Sequence, residues 1–265
     1  MQTTIGDSRI GYDSRGSGIP LLLLHAFPLS RAMYDAQVDA LKGLARVITL
    51  DAPGVGNSEP GPLSIDGMAD LAAGVLDALQ IEKAVVGGVS MGGYAALAFA
   101  RRHPDRLHGL ILANTRAAAD TQAAREGRDA SISLVTREGS AAFAEAFLPK
   151  VLGRTARKKQ PKLVVRVRGL VESVKPEVIT GLLRALADRA DSSDLLAAIT
   201  VPTLVIAAEE DELTPPDETR SWAREIAGCD LVEIPAAGHL ANMEAPALFN
   251  GAVERFLSNR VSAEG

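Results

Sequence analysis

Cysteine is nearly absent. The single Cys229 in 265 residues excludes an intrachain disulfide and fits a reducing compartment. Histidine is almost as scarce, with four in all, and one sulfur ligand beside them makes a Cys/His zinc site an unexpected outcome. No metal or cofactor is expected. Aromatic residues are only 4% of the chain, so its core has to be built from Ala, Val, Leu and Ile. Positive charge is not in surplus: 28 Lys and Arg face 33 Asp and Glu, leaving a net charge of −5. A nucleic-acid partner, which needs a basic face, is therefore not expected. Apolar runs such as 19–24 are far too short to span a bilayer. The opening Met1-Gln2-Thr3-Thr4 has neither the basic flank nor the apolar stretch of a signal peptide. These absences predict a cytoplasmic protein without membrane, nucleic-acid or metal partners, and leave its oligomeric state open.

What is present is an ordinary globular composition, 47% apolar and 23% charged, in a chain long enough for one large α/β domain or two small ones. Residues 8–14 read as an early strand, followed by a Gly/Ser turn at 15–18. The continuous apolar runs at 20–24 and 46–50 suit strands buried on both faces. Between them, Ser30 is placed to cap a helix carrying Tyr34, Val38 and Leu41. Met68, Leu71, Val75, Leu76 and Leu79 recur at helical spacing within 64–80. A strand at 84–87, a helix over 91–103 and a strand at 107–113 follow. Such alternation implies βαβ units and a mostly parallel sheet. From 116 to 199 it stops: 132–148 and 177–189 read as helices, 164–167 is ambiguous, and no convincing strand is found. Alternation then resumes with strands at 203–208 and 231–235, a helix near Trp222, and a last helix holding Leu248, Ala252, Val253 and Phe256. The expected organisation is an α/β core made of 1–115 and 200–265 with a helical insertion at 116–199. The basic cluster between Arg154 and Lys162 reads as a solvated face of that insertion.

The sharpest chemical signal is Gly88-Val89-Ser90-Met91-Gly92, lying between the β-rich Ala84-Val85-Val86 and an Ala-rich helix. A serine at such a strand-to-helix turn is held in a strained backbone conformation that lifts its hydroxyl from the sheet. Side chains two places either side would collide, hence the glycines. The helix that starts there points free N–H groups and the positive end of its dipole at the site. Gly93-Tyr94 follows where a P-loop has Lys and Ser/Thr, and no dinucleotide-binding glycine pattern occurs.

A serine needs a base. His103 precedes Pro104 at a helix end and His108 lies in a strand pattern, so both read as surface or packing residues. His25 ends a buried strand and fits either a structural or a near-site role. His239, in the small-residue loop Pro235-Ala236-Ala237-Gly238-His239 after the last strand, is the candidate base. Its orienting carboxylate comes from the loop after strand 203–208, where Asp211 has Glu209, Glu210 and Asp217 as rivals. The preceding strand ends on Asn114 and supplies no acid. The order Ser90, Asp211, His239 suits this architecture.

Nearly the whole chain outside the insertion resembles the α/β-hydrolase family. His25-Ala26-Phe27-Pro28 is similar to its oxyanion loop, and Asp51-Ala52-Pro53-Gly54-Val55-Gly56-Asn57-Ser58 to the turn after its next strand. The stretch 88–93 resembles the nucleophile elbow, Ala208-Glu209-Glu210-Asp211 with Thr214-Pro215 the acid loop, and Gly238-His239 with Glu244-Ala245-Pro246 the histidine loop. This alignment favours Asp211 over its neighbours. The resemblance implies a sheet of about eight strands, a cap formed by the insertion, and an oxyanion hole made by the N–H groups of Phe27 and Met91. Ala26 stands where the family usually has Gly, and its methyl group is expected to narrow or tilt that loop. Ala208 likewise replaces a common Gly. Phe143 and Phe147 are the only aromatics of the insertion, which predicts an aliphatic rather than a stacking pocket.

Within the family the resemblance is closest to small carboxylesterases and 3-oxoadipate enol-lactonase-like hydrolases. Ser90 excludes the members that use an aspartate nucleophile. The expected function is ester hydrolysis through an acyl-enzyme, with a small-molecule ester or lactone as substrate. Enol-lactone hydrolysis and cofactor-free perhydrolysis are alternatives, and a non-catalytic ligand receptor on the same scaffold is the rival from another class.

Overall fold

The computed structural model describes residues 1–6 and 8–261. Eight strands form one sheet: β1 (Gln2–Ile5), β2 (Ser8–Arg15), β3 (Ile19–Leu24), β4 (Ala45–Leu50), β5 (Ala84–Val89), β6 (Leu107–Ala113), β7 (Thr203–Ala208) and β8 (Asp230–Ile234). Their order is β1-β2-β4-β3-β5-β6-β7-β8. The first two strands pair antiparallel with their neighbours, and every pairing from β4 onward is parallel. The fold is thus α/β, with a mostly parallel sheet flanked by helices.

Burial follows from sequence. Every residue of β5 (AVVGGV) and β7 (TLVIAA) is buried, as continuous apolar runs require when helices cover both faces. The edge strand β8 alternates between partly buried and exposed positions. Strand β1, of sequence QTTI, has no apolar run to announce it and is half exposed at the other edge. Only its antiparallel pairing with β2 defines it.

Helices α1 (Asp35–Leu41), α2 (Ile65–Ala78) and α3 (Met91–Arg102) belong to the first half of the chain. Ser64 caps α2 by accepting from the Gly67 N–H at 2.9 Å. Ser30 does not act in this way. A short 3-10 turn, Arg31–Tyr34, precedes α1, and the Ser30 hydroxyl makes no capping bond to it. Helix α3 is buried from Met91 to Ala100, which its small Gly and Ala side chains permit as it packs on β5, β6 and α2.

Among the described residues no strand lies between β6 and β7. That stretch holds α4 (Gln122–Val151), α5 (Arg154–Lys159), α6 (Pro161–Glu172) and α7 (Pro176–Ala187). Helix α4 is kinked at Gly139, whose φ of +80° is outside helical space. The ambiguous 164–167 run lies inside α6, with Val167 buried and Val165 exposed. After β7 come α8 (Pro216–Ala223), α9 (Ala241–Glu244) and α10 (Pro246–Phe256). Among the described residues no helix is long and apolar enough to cross a membrane.

The tightest backbone apposition lies where β3, β5 and α3 meet. A Cβ on Gly92 would overlap the Leu24 carbonyl oxygen, and one on Gly88 would overlap the Gly92 backbone. Backbone, unlike a side-chain tip, cannot swing aside. Gly92→Ala is therefore expected to destabilise the fold by about 1–3 kcal/mol, the usual cost of forcing atoms into a filled interior. Thermal melts of the variant check this, and an unchanged Tm would contradict so close a contact.

Candidate active site

Ser90 occupies the turn between β5 and α3 with φ 56° and ψ −114°. A non-glycine residue pays about 1–3 kcal/mol for such a conformation, so its surroundings have to hold it there. Its N–H donates to Ala113 O at 2.9 Å, and its carbonyl accepts from Gly93 N–H, Tyr94 N–H and Thr115 Oγ1 at 2.8, 3.1 and 2.9 Å. With backbone so fully bonded, the side chain is left to project into a cavity of about 480 Å³.

Phe27 and His239 line the same cavity. The N–H groups of Phe27 and Met91 make no hydrogen bond among the described residues. Met91 is the first residue of α3, where a helix leaves its amides unpaired. Ala26 does not adopt a positive φ. Its N–H meets Met33 Sδ at 3.1 Å and its carbonyl accepts from Leu29 N–H at 2.8 Å.

His239 and Asp211 are brought together at the carboxyl edge of the sheet. His239 Nδ1 lies 2.8 Å from Asp211 Oδ2 and 3.0 Å from Oδ1, and both residues are buried. A carboxylate there fixes the proton on Nδ1, which leaves Nε2 as the acceptor on the imidazole. Burial alone would raise the Asp211 pKa. The His239 charge and the hydrogen bonds from His239 and Thr214 outweigh it and hold the carboxyl well below its usual range. Oδ1 accepts from the N–H groups of Leu213 and Thr214 at 2.9 and 3.0 Å, and Oδ2 accepts from Thr214 Oγ1 at 2.5 Å and Asn114 Nδ2 at 2.9 Å. No hydrogen bond joins the Ser90 hydroxyl to His239 among the described residues. Catalytic contacts of this type often close only around a bound substrate.

The rival carboxylates are engaged elsewhere. Glu209 accepts from Ala236 N–H at 2.8 Å, Glu210 from Thr155 N–H and Oγ1 at 2.7 Å each, and Asp217 pairs with Arg220. Sequence reasoning names Thr214 in the acid loop and Asn114 at a strand end without giving either a role, and both hold Asp211. Thr214 could have been found as the residue three past an acid, where a hydroxyl closes a turn. Glu244, named in the histidine-loop pattern but given no role there, is buried and accepts from Gly153, Gly238 and Leu240 N–H at 2.9, 2.9 and 3.1 Å. It ties the histidine loop to the end of α4, as does the bond from His239 N–H to Val151 O at 3.1 Å.

The cavity differs from the aliphatic pocket that composition predicts. Phe27 meets Phe143 and Phe147 edge-on at 5.9 and 5.7 Å between ring centroids, and the latter two stack at 5.2 Å. Aromatics are few in the helical segment, but the two four residues apart on α4 fall on one face and meet Phe27 there. Leu134, Leu183, Leu186 and Leu213 add aliphatic surface to the lining. Among the described residues no group of three or more His, Cys, Asp or Glu side chains could hold a metal ion.

A mostly parallel sheet with a strained serine turn at its carboxyl edge defines the α/β hydrolase class, and the chain belongs to the α/β hydrolase fold family, whose model matches residues 19–246. It is 30% identical over 218 residues to 3-oxoadipate enol-lactonase 1 of Acinetobacter baylyi, covering 82% of this chain and 80% of that one. A malate-bound structure of a thermophilic esterase from Thermogutta terrifontis superposes with a TM-score of 0.93 at 38% identity, covering 98% of this chain and 97% of that one. The enol-lactonase from Burkholderia xenovorans LB400 gives 0.91 at 28% identity, covering 98% and 100%. The chain is therefore a member of a hydrolase family.

His25, left open by sequence, bridges two loops. Its Nδ1–H donates to Ala26 O at 2.9 Å and its Nε2 accepts from Ala52 N–H at 2.9 Å. Burial, and to a lesser degree the charge of Arg31, lower its pKa from 6.5 to about 4. Between those values the unfolded chain binds a proton that the folded chain refuses, so stability falls as the pH drops from 6.5 towards 4. The full loss is roughly 3 kcal/mol. His25→Gln is expected to flatten that part of the curve. Urea unfolding of both proteins across the window checks it, and parallel curves would refute a neutral, buried imidazole.

Proposed function

We propose that the chain is a serine hydrolase that cleaves carboxylic esters through an acyl-enzyme on Ser90. The observation that carries this reading is a buried imidazole, His239, fixed from behind by Asp211 and facing the cavity into which the strained Ser90 turn opens. His239 Nε2 takes the hydroxyl proton as Ser90 Oγ attacks the ester carbonyl. The tetrahedral oxyanion accepts hydrogen bonds from the Phe27 and Met91 N–H groups, each typically lowering the barrier by about 3 kcal/mol. His239 returns the proton to the departing alkoxide, and the acyl group stays on Ser90. Water, deprotonated by the same imidazole, then attacks the acyl carbonyl. Collapse releases the acid and restores the hydroxyl.

In this reading α4 to α7 form a cap over the sheet edge and supply the acyl wall of the pocket. An enol-lactone fits the same sequence of steps, because its alkoxide leaves tethered to the acyl group. The enol-lactonase relatives support that substrate as the second reading.

Ser90→Ala is expected to lower turnover of p-nitrophenyl acetate by about 10⁴-fold or more and to abolish labelling by a fluorophosphonate, with the melting temperature kept. Turnover that survives in this variant would end the proposal, and so would a wild-type protein that the probe fails to label. Asp211→Asn is expected to reduce kcat by about 10⁴-fold through loss of the required tautomer. Rates within tenfold of wild type would remove Asp211 from the site.

A further inference from the structure

One wall of the cavity carries charge that ester cleavage does not require. Asp120, whose side chain is only 1% exposed, is shared by two guanidinium groups, Arg128 on α4 and Arg189 just past α7. Arg189 commits both terminal nitrogens to structure, and its Nε is buried without a hydrogen bond. It pairs with Asp120 through Nη1, donates to the Leu186 and Ala118 carbonyls at 3.0 and 2.8 Å, and lies 4.2 Å over the Tyr94 ring. Arg128 commits only Nε and Nη2 to Asp120, the latter at 3.2 Å, and its Nη1 makes no hydrogen bond among the described residues. Arg128 also lines the cavity.

Two cations bond to this one carboxylate; Asp191 adds a longer-range counter-charge to Arg189, whereas Arg128 pairs with no other anion among the described residues. Lys150 lines the same cavity without an ion pair among the described residues. Arg116 lines it too but is matched by Glu218 at 3.2 Å. The lining therefore has three cations and one anion, in a chain whose net charge is −5. An unmatched guanidinium at a half-enclosed apolar site is costly until a counter-anion arrives, and a carboxylate is the anion whose geometry the planar fork fits. A second carboxylate would turn the two-to-one cluster into a two-to-two one.

We propose that the cavity selects esters or lactones bearing a free carboxylate remote from the scissile carbonyl, bound by Arg128 with Lys150 adding to the attraction. The apolar face of Phe143 and Phe147 covers the methylenes between the two ends. The proposal rests on the reading of Ser90 as the acylated nucleophile, and it narrows the substrate class of that site.

The test compares kcat/KM for the monomethyl esters of succinate, glutarate and adipate with that for the corresponding dimethyl esters. At its best chain length the monoanion is expected to be preferred by about tenfold or more, as a charge-assisted fork bond implies. Raising the NaCl concentration to about 0.5 M should shrink the preference by screening the attraction. Arg128→Gln should bring the ratio of the two ester types close to one, and Lys150→Gln should lower it in part. Arg128→Gln leaves Asp120 and Arg189 as a one-to-one pair, so folding is expected to survive, and thermal melts confirm it. Should it not fold, the wild-type ratio, its salt dependence and the Lys150→Gln ratio decide alone. Equal or better use of the diesters, or a ratio that Arg128→Gln leaves unmoved, overturns the proposal. The nucleophile reading is judged separately, because fluorophosphonate labelling of Ser90 does not depend on a substrate carboxylate.

Discussion

The contact on which the site depends is one of backbone against backbone: the start of α3 pressed on the end of β3, with Gly92 facing the Leu24 carbonyl. That distance leaves Ser90 no ordinary conformation, and it enters left-handed space at φ 56°. The strain is held because every backbone group of Ser90 is bonded, its N–H to β6 and its carbonyl to the first turn of α3 and to Thr115. The same pressure brings the 25–29 loop beside the turn, since that loop begins where β3 ends. The free amide of Phe27 lies in that loop, and the free amide of Met91 comes with the first turn of α3. Removing the approach would relax the serine, withdraw the loop and tilt the helix together.

The other half of the site is held by buried polar groups, and they bind the helical segment as firmly as the imidazole. Asp211 is saturated by Thr214, Leu213 and Asn114, so the only way it turns is with its loop. Glu244 is buried with a raised pKa, chiefly from desolvation, and the three amides it accepts from belong to the histidine loop and to Gly153 at the end of α4. Glu210 in the acid loop accepts from Thr155 in α5. A displacement of the helices at this end is thus transmitted to the loops that carry the proposed acid and base. The helical segment and the loops of the proposed acid and base share one set of hydrogen bonds.

Much of this was legible in the sequence because it rests on local pattern. Runs such as AVVGGV and TLVIAA announce buried parallel strands, and a serine flanked by glycines between strand and helix announces the turn. Strand β1 was not legible, since QTTI has no burial pattern of its own and exists by pairing with β2. Ser30 is not a cap because the chain enters α1 through a 3-10 turn whose Met33 N–H bonds the Ser30 carbonyl and not its hydroxyl. The carboxylate partner of His239 could be narrowed only by family pattern, as Glu209, Glu210 and Asp217 stand near Asp211 in the chain. Geometry separates them through what else each one accepts from. The character of the cavity was hidden for a different reason: composition averages over a segment, whereas a pocket samples one face of it. Phe143 and Phe147 are two residues in a long helical stretch, yet with Phe27 they form an aromatic cluster at the wall.

The same sampling applies to charge, and it separates what the fold dictates from what it leaves free. A net charge of −5 says nothing of a wall on which Arg128 and Arg189 outnumber Asp120. That cluster joins the loop after β6, helix α4 and the end of α7; other residues of the first two segments, Asn114, Thr115 and Val151, hold the strained turn and the Asp211 and His239 pair, but Asp120, Arg128 and Arg189 bond to neither. Its residues can change without disturbing the sheet edge, provided the buried Asp120 keeps one cation. Chemistry at the edge is constrained by backbone contacts that tolerate no added atom. Recognition across the cavity is constrained only by charge balance and side-chain volume. Under the proposed function, such a division would allow one reaction to be kept while its acyl substrates are exchanged, with the determinants of that exchange on α4 rather than on the loops of the proposed acid and base.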